Sequence, residues 1–189
     1  MADSRRTQMT KTLLKTALIE LLQEKPLHKI SVKELCDRAD LNRTTFYLHY
    51  EDQTELFNDL VSNLEKDLIE YIPPTADKKD NIMLIHKYLE YVKNNSVVFR
   101  TLMGSDINGG AKTRIIRDIL TGMRNELPRF GTEDETRYFY VFMVEGVVNV
   151  IIRWIDNGFD LTVDDLAKII YRLSTVPFVA MEQAVDSVR

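Results

Sequence analysis

The chain has 189 residues, 44% of them hydrophobic and 29% charged, so it can bury a sizeable core as one large domain or two small ones. No apolar run approaches the about 20 residues of a membrane span, and residues 1–11 lack the apolar segment of a secretory signal, so we expect a cytoplasmic protein. The net charge of −4 divides into +3 over residues 1–49 and −7 over residues 50–189, which would confine any affinity for nucleic acid to the first segment.

The first two predicted helices occupy the basic segment. An amphipathic pattern predicts a helix over residues 7–24, which Pro26 ends. Ser31 followed three residues later by Glu34 is a capping box, so a second helix should begin at the next residue after Ser31. Its apolar stripe contains Cys36, which we expect to be a small core residue and which, as the only cysteine, excludes an internal disulfide.

The third predicted helix is short and follows a tight turn. Asn42 can cap it, and Phe46 and Tyr50 are its apolar residues. Two short helices joined in this way form a helix-turn-helix, here over residues 31–50. Its polar side chains are the candidate contacts with DNA: Lys33, Arg43, Thr44, Thr45, Tyr47 and His49.

The chemistry of these side chains suits both kinds of contact with duplex DNA. Arg43 could bond guanine O6 and N7 or contact phosphate only, and a threonine methyl can meet a thymine methyl. Tyr47, His49 and Lys33 can donate to phosphates, which fixes register without reading sequence. Lys33 could equally be a solvated surface lysine.

Six further helices are predicted after residue 50. They are a long helix from about residue 52 that Pro73 stops, helices over 80–94, 97–103, 111–127 and 132–157, and a last helix opened by Thr162 in which Pro177 should kink or break the final turns. No segment alternates with period two over the length of a strand. We therefore predict an all-α fold of about nine helices, with a DNA-binding domain over residues 1–51 and an effector-binding and dimerisation domain over residues 52–189.

The stretch K-I-S-V-K-E-L-C-D-R-A-D-L-N-R-T-T-F-Y-L-H-Y-E-D-Q-T-E-L-F resembles the DNA-binding domain of the TetR family of transcriptional regulators, over roughly residues 7–64. Within that family, N-R-T-T-F-Y-x-H-Y-E-D is most similar to a group that includes regulators of dihydroxyacetone metabolism. The resemblance implies that Arg43 and the two threonines after it begin the recognition helix. It also implies that Tyr47 and His49 touch the DNA backbone.

Three positions depart from the pattern that this resemblance sets. Asp40 stands where the family often has glycine in the turn, and Thr44 replaces a frequent glycine with a hydroxyl and a methyl. Gln53 replaces a frequent lysine at the start of the fourth helix. We therefore expect a recognition helix that offers DNA more side-chain groups than usual. We also expect a fourth helix whose start contacts phosphate without the usual lysine charge.

The last two helices are the candidate dimer surface. One helix-turn-helix makes few base contacts, so specificity normally comes from a dimer on a pseudo-palindrome. These helices carry more apolar surface than one small core needs, and the resemblance implies a four-helix bundle with the partner. Their alternative role is simple burial within one chain. The predicted interface residues are Val144, Val148, Ile151, Ile155, Leu166, Ile170 and Leu173.

Large side chains of the middle helices are the candidate lining of an effector pocket, because an apolar cavity with a few polar anchors suits a small molecule. Plain core packing is the alternative for each aromatic. Glu145 could anchor a cationic or hydroxylic effector, or pair with Arg153 across a dimer. The candidate lining residues are Tyr88, Tyr91, Phe99, Met103, Tyr138, Phe142, Glu145 and Trp154.

Motifs for catalysis are not found. The sequence has no glycine-rich phosphate loop after a strand, no G-x-S-x-G and no Cys–His arrangement. His86 and Glu90 could share a metal at i, i+4, but no third ligand is evident, so we predict no metal, no cofactor and no enzyme. The expected function is a dimeric, effector-responsive repressor that binds a DNA operator. The alternative is a regulator or activator controlled by a protein partner.

Overall fold

The computed structural model describes residues 5–69, 78–104, 110–123 and 131–187. These residues form nine α-helices and no strand, which confirms the predicted all-α fold. A 3₁₀ turn at Leu27–Lys29 joins the first two helices. The helices are α1 Arg5–Glu24, α2 Val32–Ala39, α3 Arg43–Tyr47, α4 Gln53–Ile69, α5 Lys78–Asn94, α6 Ser96–Met103, α7 Ala111–Met123, α8 Glu133–Asp156 and α9 Val163–Ser187.

Side-chain caps begin several of these helices where the sequence predicts them. The Glu34 backbone N–H donates to the Ser31 hydroxyl at 3.3 Å, and the Glu34 carboxylate accepts from the Ser31 N–H at 3.0 Å. Thr132 and Glu135 form the same reciprocal pair at the start of α8. Thr162 accepts a backbone N–H three residues later at 3.1 Å, which begins α9. Each cap satisfies donors that a helix leaves unpaired at its N-terminus.

Contacts divide the chain into two compact units. The first comprises residues 1–66 and 97–113, and the second comprises residues 67–96 and 114–189. The division falls within α4, after Lys66, so the first unit extends beyond the predicted boundary at residue 51. Accordingly, α4 supplies turns to both units.

The core of the first unit is built from the apolar faces of its helices. Completely buried side chains include Leu14, Leu18, Leu35, Phe46 and Leu56. Cys36 is 2% exposed, which agrees with its prediction as a core residue, and burial raises the pKa of its thiol. The helix-turn-helix is therefore seated on a packed base of α1 and α4 side chains.

In the second unit α5 packs against α9, and the corner between α8 and α9 follows the motif W-I-D-N-G-F. The Trp154 indole is 2% exposed and donates to the Leu161 carbonyl at 2.9 Å. Gly158 adopts φ 70°, and the Phe159 N–H donates back to the Trp154 carbonyl at 2.9 Å. The Phe159 ring then meets the indole edge-on at 4.9 Å. This motif thus terminates α8 and turns the chain into α9.

One helix continues through a proline where a kink or break is predicted, and the predicted span of another extends beyond the described residues. The helix α9 runs through Pro177 to Ser187, so of the predicted kink or break, a break is wrong and a kink stays a prediction. Proline removes one backbone donor, and the surrounding turns continue the helix. The described part of α7 ends at Met123, and residues 124–127 of its predicted span lie outside the described residues.

The helix α8 is more apolar than expected. It contains an 18-residue window of mean hydropathy 1.5, so by length and composition it could cross a membrane, which corrects the expectation that no segment could. Core helices of globular proteins pass the same test, so the observation is weak evidence for a membrane span. Only 22% of that window is buried. The other positions of this helix are half-buried or exposed in the single chain.

Candidate nucleic-acid interface

The turn between α2 and α3 is built around Asp40. This residue adopts the left-handed conformation, with φ 51° and ψ 48°, where L-residues other than Asn and Asp rarely lie. Its backbone N–H donates to the Cys36 carbonyl, and the Leu41 N–H donates to the same oxygen at 3.0 Å. These bonds end α2 and reverse the chain within two residues.

Asn42 caps α3 as predicted. Its Oδ1 accepts from the Thr45 backbone N–H at 2.7 Å and from the Thr45 hydroxyl at 2.9 Å. Thr45 is half-buried, and its hydroxyl hydrogen is already donated to the cap. The hydroxyl oxygen can therefore only accept a hydrogen bond from a ligand. Thr45 is therefore mainly part of the frame of α3.

One face of α3 is fixed in the core and the opposite face is open to solvent. Phe46 is completely buried, and Tyr50, just beyond the helix, is 4% exposed. Arg43 and Thr44 are exposed, and Tyr47 is 58% exposed. Of the other predicted contacts, Lys33 is exposed on α2 and His49 is half-buried. Because successive residues turn by about 100°, Thr44 lies almost opposite Phe46 on this helix.

Leu48 was missed by the sequence reasoning. This side chain is 75% exposed at the end of α3, directly after Tyr47. Its spacing of four residues from Thr44 is the signal that could have identified it. By contrast, the neighbouring Tyr47 ring is held edge-to-face against Phe46, with centroids 5.5 Å apart.

A partly buried polar contact ties this motif to α1 and α4. The Tyr50 hydroxyl donates to Asp59 Oδ2 at 2.7 Å, and Lys15 Nζ lies 2.9 Å from the same oxygen. Burial by itself would raise the pKa of Asp59, but hydrogen bonds from Lys15 and Tyr50 outweigh it and lower the pKa. The end of the helix-turn-helix is therefore anchored at one carboxylate.

Ion pairs fasten α2 to α1 at the other end. Arg38 bonds Glu24 at 2.9 Å and Glu20 at 3.2 Å. Glu34 pairs with Lys25 as well as capping α2. Hydrogen bonds from Lys25, and then from Ser31, lower the pKa of Glu34 to about 2. Both ends of α2 are thus fixed in relation to α1.

The start of α4 is acidic. The Asp52 carboxylate accepts from the Thr54 N–H at 2.8 Å and from the Glu55 N–H at 2.9 Å, and Glu55 accepts from the Glu51 N–H at 2.5 Å. These carboxylates occupy N–H groups that could otherwise bind a phosphate. Gln53, the first residue of α4, is half-buried and brings no positive charge.

The predicted dimer residues fall into two groups. Val144 and Ile155 are half-buried and Leu173 is 55% exposed. The other four, Val148, Ile151, Leu166 and Ile170, are buried within the protomer, and their place in an interface stays a prediction. Both α8 and α9 are apolar on two faces, and these four residues lie on the inner one.

The predicted pocket residues are divided between the two units. Phe99 and Met103, both completely buried, belong to the first unit, and the other six belong to the second. Tyr138 and Phe142 are 66% and 72% exposed, so they lie on the surface and do not line an enclosed cavity.

The remaining four side chains are inside or partly inside the second unit. Trp154 is buried in the α8–α9 corner, and Glu145 is half-buried on α8. The Tyr91 hydroxyl donates to Asp67 at 2.6 Å. Tyr88 is half-buried, and desolvation raises the pKa of its hydroxyl.

Family models match most of the chain in two regions. The model described as bacterial regulatory proteins of the tetR family matches residues 13–60, and a transcriptional regulator C-terminal region matches residues 79–175. The chain belongs to the TetR family. The first match contains α2, the turn and α3 entirely, so the arrangement described above is that of a TetR-type helix-turn-helix transcriptional regulator.

Curated relatives of this TetR-family chain are helix-turn-helix (HTH) regulators. It is 25% identical to YxbF of Bacillus subtilis over 112 residues, 56% of this chain and 28% of the relative. It is 24% identical to an HTH-type regulator of Haemophilus influenzae over 174 residues, 86% of this chain and 84% of that one. It is 25% identical to DhaS, the dhaKLM operon transcriptional activator of Lactococcus lactis, over 109 residues, 56% of this chain and 55% of DhaS.

Solved structures share the fold. A tetR-family regulator from Streptomyces coelicolor has a TM-score of 0.69 at 12% identity, covering 94% of this chain and 83% of that one. FadR from Bacillus subtilis, solved in complex with stearoyl-CoA, has a TM-score of 0.61 at 13% identity, covering 86% of this chain and 96% of FadR. These identities show similarity of fold alone.

Proposed function

We propose that this TetR-family regulator binds a pseudo-palindromic DNA operator as a homodimer, with α3 of each protomer in the major groove. The observation that carries the proposal is the geometry of α3. Its inner face is fixed by Phe46, its start is capped by Asn42, and its outer face is exposed. A short helix held in this way can present side chains to base edges at a constant register.

The proposed contacts divide by chemistry. Arg43 and Thr44 lie at the start of α3, where recognition helices meet base edges, and Tyr47 and His49 can donate to phosphates. Lys33 on α2 adds a further cation. Thr45 contributes mainly through the cap. The proposed division of the chain gives DNA binding to residues 1–51 and effector binding and dimerisation to residues 52–189.

The exposed apolar faces of α8 and α9 support a homodimer. On α8, Tyr138, Val141 and Phe142 follow at i, i+3 and i+4 and are 66%, 38% and 72% exposed. On α9, Ile169 and Leu173, also at i, i+4, are 37% and 55% exposed. Large apolar side chains clustered on one helix face are typical of a protein–protein contact. We propose these five residues as the centre of the interface.

Light scattering on the purified chain tests the dimer. We expect a mass of twice the 22.0 kDa of one chain, and the Phe142→Glu and Leu173→Glu variants should be monomers. Met83, 49% exposed on α5, is a matched position, so Met83→Glu should leave the dimer intact. A monomeric wild-type chain, or Phe142→Glu and Leu173→Glu variants that remain dimers, would contradict the proposed interface.

We propose that a small-molecule effector relieves repression by binding within the second domain. The support is the presence of two half-buried residues with polar side-chain ends, Tyr88 and Glu145, together with the fold shared with FadR, a regulator solved with stearoyl-CoA. The effector can weaken DNA binding only if it binds the DNA-free state more tightly. A soluble, cytoplasmic location accompanies this proposal.

The second candidate is control by a protein partner, with activation in place of repression. Similarity to DhaS, which is named as an operon activator, favours it.

A reporter placed behind the selected operator distinguishes the two. Random-sequence DNA selection with the purified chain should first return an inverted repeat. Expression of the chain should then lower transcription if it is a repressor, and raise it if it is an activator. Long-chain acyl-CoA added to the purified complex should release DNA under the small-molecule hypothesis. Selected DNA without two-fold symmetry would contradict binding by a symmetric dimer.

A further inference from the structure

The outer face of α3 carries two parallel rows of side chains. The Leu48 N–H donates to the Thr44 carbonyl at 3.2 Å, so the helical turn continues through Leu48. Arg43 and Tyr47 therefore form one i, i+4 row, and Thr44 and Leu48 form a second. At about 100° per residue, the Thr44–Leu48 row lies almost opposite the buried Phe46. It is the outermost line of the helix.

The two rows differ in chemistry. Arg43 and Tyr47 bring hydrogen-bond donors, whereas the Leu48 side chain has no hydrogen-bonding group and is 75% exposed. A phosphate offers only charged oxygen atoms, so leucine gains little from touching one. In the major groove the apolar feature of the base edges is the thymine 5-methyl group.

We propose that Leu48, with the methyl of Thr44 beside it, contacts the 5-methyl group of a thymine in each half-site. The inference rests on the proposed insertion of α3 into the major groove, and it makes Leu48 a specificity-determining residue. Thr44 and Thr45, one turn before Leu48, are polar, and a single exposed leucine is too small an apolar area to dock a protein. It is large enough to cover one methyl group.

Deoxyuridine substitution tests the contact, because it removes that methyl group and leaves the Watson–Crick edge unchanged. Each thymine of the selected operator is replaced in turn by deoxyuridine, and binding is measured by fluorescence anisotropy. At one thymine per half-site we expect the wild-type affinity to fall about fourfold, the value of one buried methyl. Leu48→Ala should bind the natural operator more weakly and be insensitive to deoxyuridine at that position only.

Two further variants serve as controls. Leu48→Met keeps an apolar side chain of similar volume and should retain the deoxyuridine effect. Thr44→Ser removes the neighbouring methyl, keeps the hydroxyl and should reduce the effect without abolishing it. Circular dichroism should show unchanged folding for all three variants, since both positions are exposed.

The outcomes separate this inference from the function on which it rests. If Leu48→Ala keeps the full deoxyuridine effect at every thymine, or loses affinity by the same factor on all operators, the methyl contact is wrong while operator binding stands. A selected half-site without thymine also overturns it. If the wild-type chain selects no DNA sequence, the proposed function itself fails.

Discussion

The turn of the helix-turn-helix offers a stability prediction with a matched pair of variants. Asp40 lies at φ 51° and ψ 48°, and its N–H and that of Leu41 converge on the Cys36 carbonyl. The left-handed conformation costs an ordinary L-residue about 1–2 kcal/mol, less for aspartate and nothing for glycine. Glycine also loses about 0.5–1 kcal/mol through its greater freedom in the unfolded chain.

These terms give opposite signs for the two substitutions. Asp40→Gly should be neutral to about 0.5 kcal/mol more stable, because relief of backbone strain slightly exceeds the entropy cost. Asp40→Ala should be about 1 kcal/mol less stable, because alanine keeps the strain and lacks the side chain that eases it. The difference between the two variants should therefore exceed about 1 kcal/mol.

Urea unfolding followed by circular dichroism measures the difference in stability. Amide hydrogen exchange of the Asp40 and Leu41 N–H groups reports on the turn itself, and exchange should be faster in Asp40→Ala than in Asp40→Gly. Equal unfolding midpoints and equal exchange rates for the two variants would refute the left-handed turn as the cause.

Three further predictions concern the same unit. Phe46→Ala should lower the free energy of unfolding by about 3–5 kcal/mol by emptying a fully buried site, whereas Tyr47→Ala should lower it little. Comparable losses in urea unfolding would contradict the assignment of Phe46 to a buried face of α3 and Tyr47 to an exposed one. Since hydrogen bonds from Lys15 and Tyr50 hold the pKa of Asp59 below its ordinary value of 3.8, the stability they give is present above that pH and lost as the pH falls through the lower folded value. Asp59→Asn should remove the loss of stability at low pH that comes from protonating Asp59. If the free energy of unfolding falls with pH in the same way in this variant, the contact of Asp59 with Lys15 and Tyr50 does not stabilise the fold as described. Ser31→Ala should cost about 1 kcal/mol through the lost cap, and a neutral result in the same assay would contradict it.

The helix-turn-helix could be predicted from sequence because its signals are local. Ser31 with Glu34, and Asn42 before α3, are caps that each depend on residues within one turn. Phe46 and Tyr50 were predicted as the apolar residues of the third helix, and both are buried. Such features require no knowledge of distant parts of the chain.

The inner faces of α8 and α9 could not be predicted in the same way. These helices are apolar on more than one face, so periodicity does not reveal which face meets the protomer's own core. Val148 and Ile151 are buried, while Phe142 on the same helix is 72% exposed. The choice depends on the packing of elements that are remote in sequence.

Two local errors have other causes. Leu48 was missed because α3 has only five residues, too few for an apolar pattern to be judged. The break predicted at Pro177 did not occur, because one lost backbone hydrogen bond does not end a helix whose neighbouring turns remain intact.

The central claim is that the outer face of α3 binds DNA. The most direct measurement is the affinity of the Arg43→Ala, Tyr47→Ala double variant for the selected operator, with Lys87→Ala, an exposed change on α5, as the control. We predict that the double variant loses specific binding while remaining folded and dimeric, and that wild-type and control affinities fall with salt by about 0.9 in log–log slope per phosphate contacted. Unchanged operator affinity in the folded double variant would contradict the account.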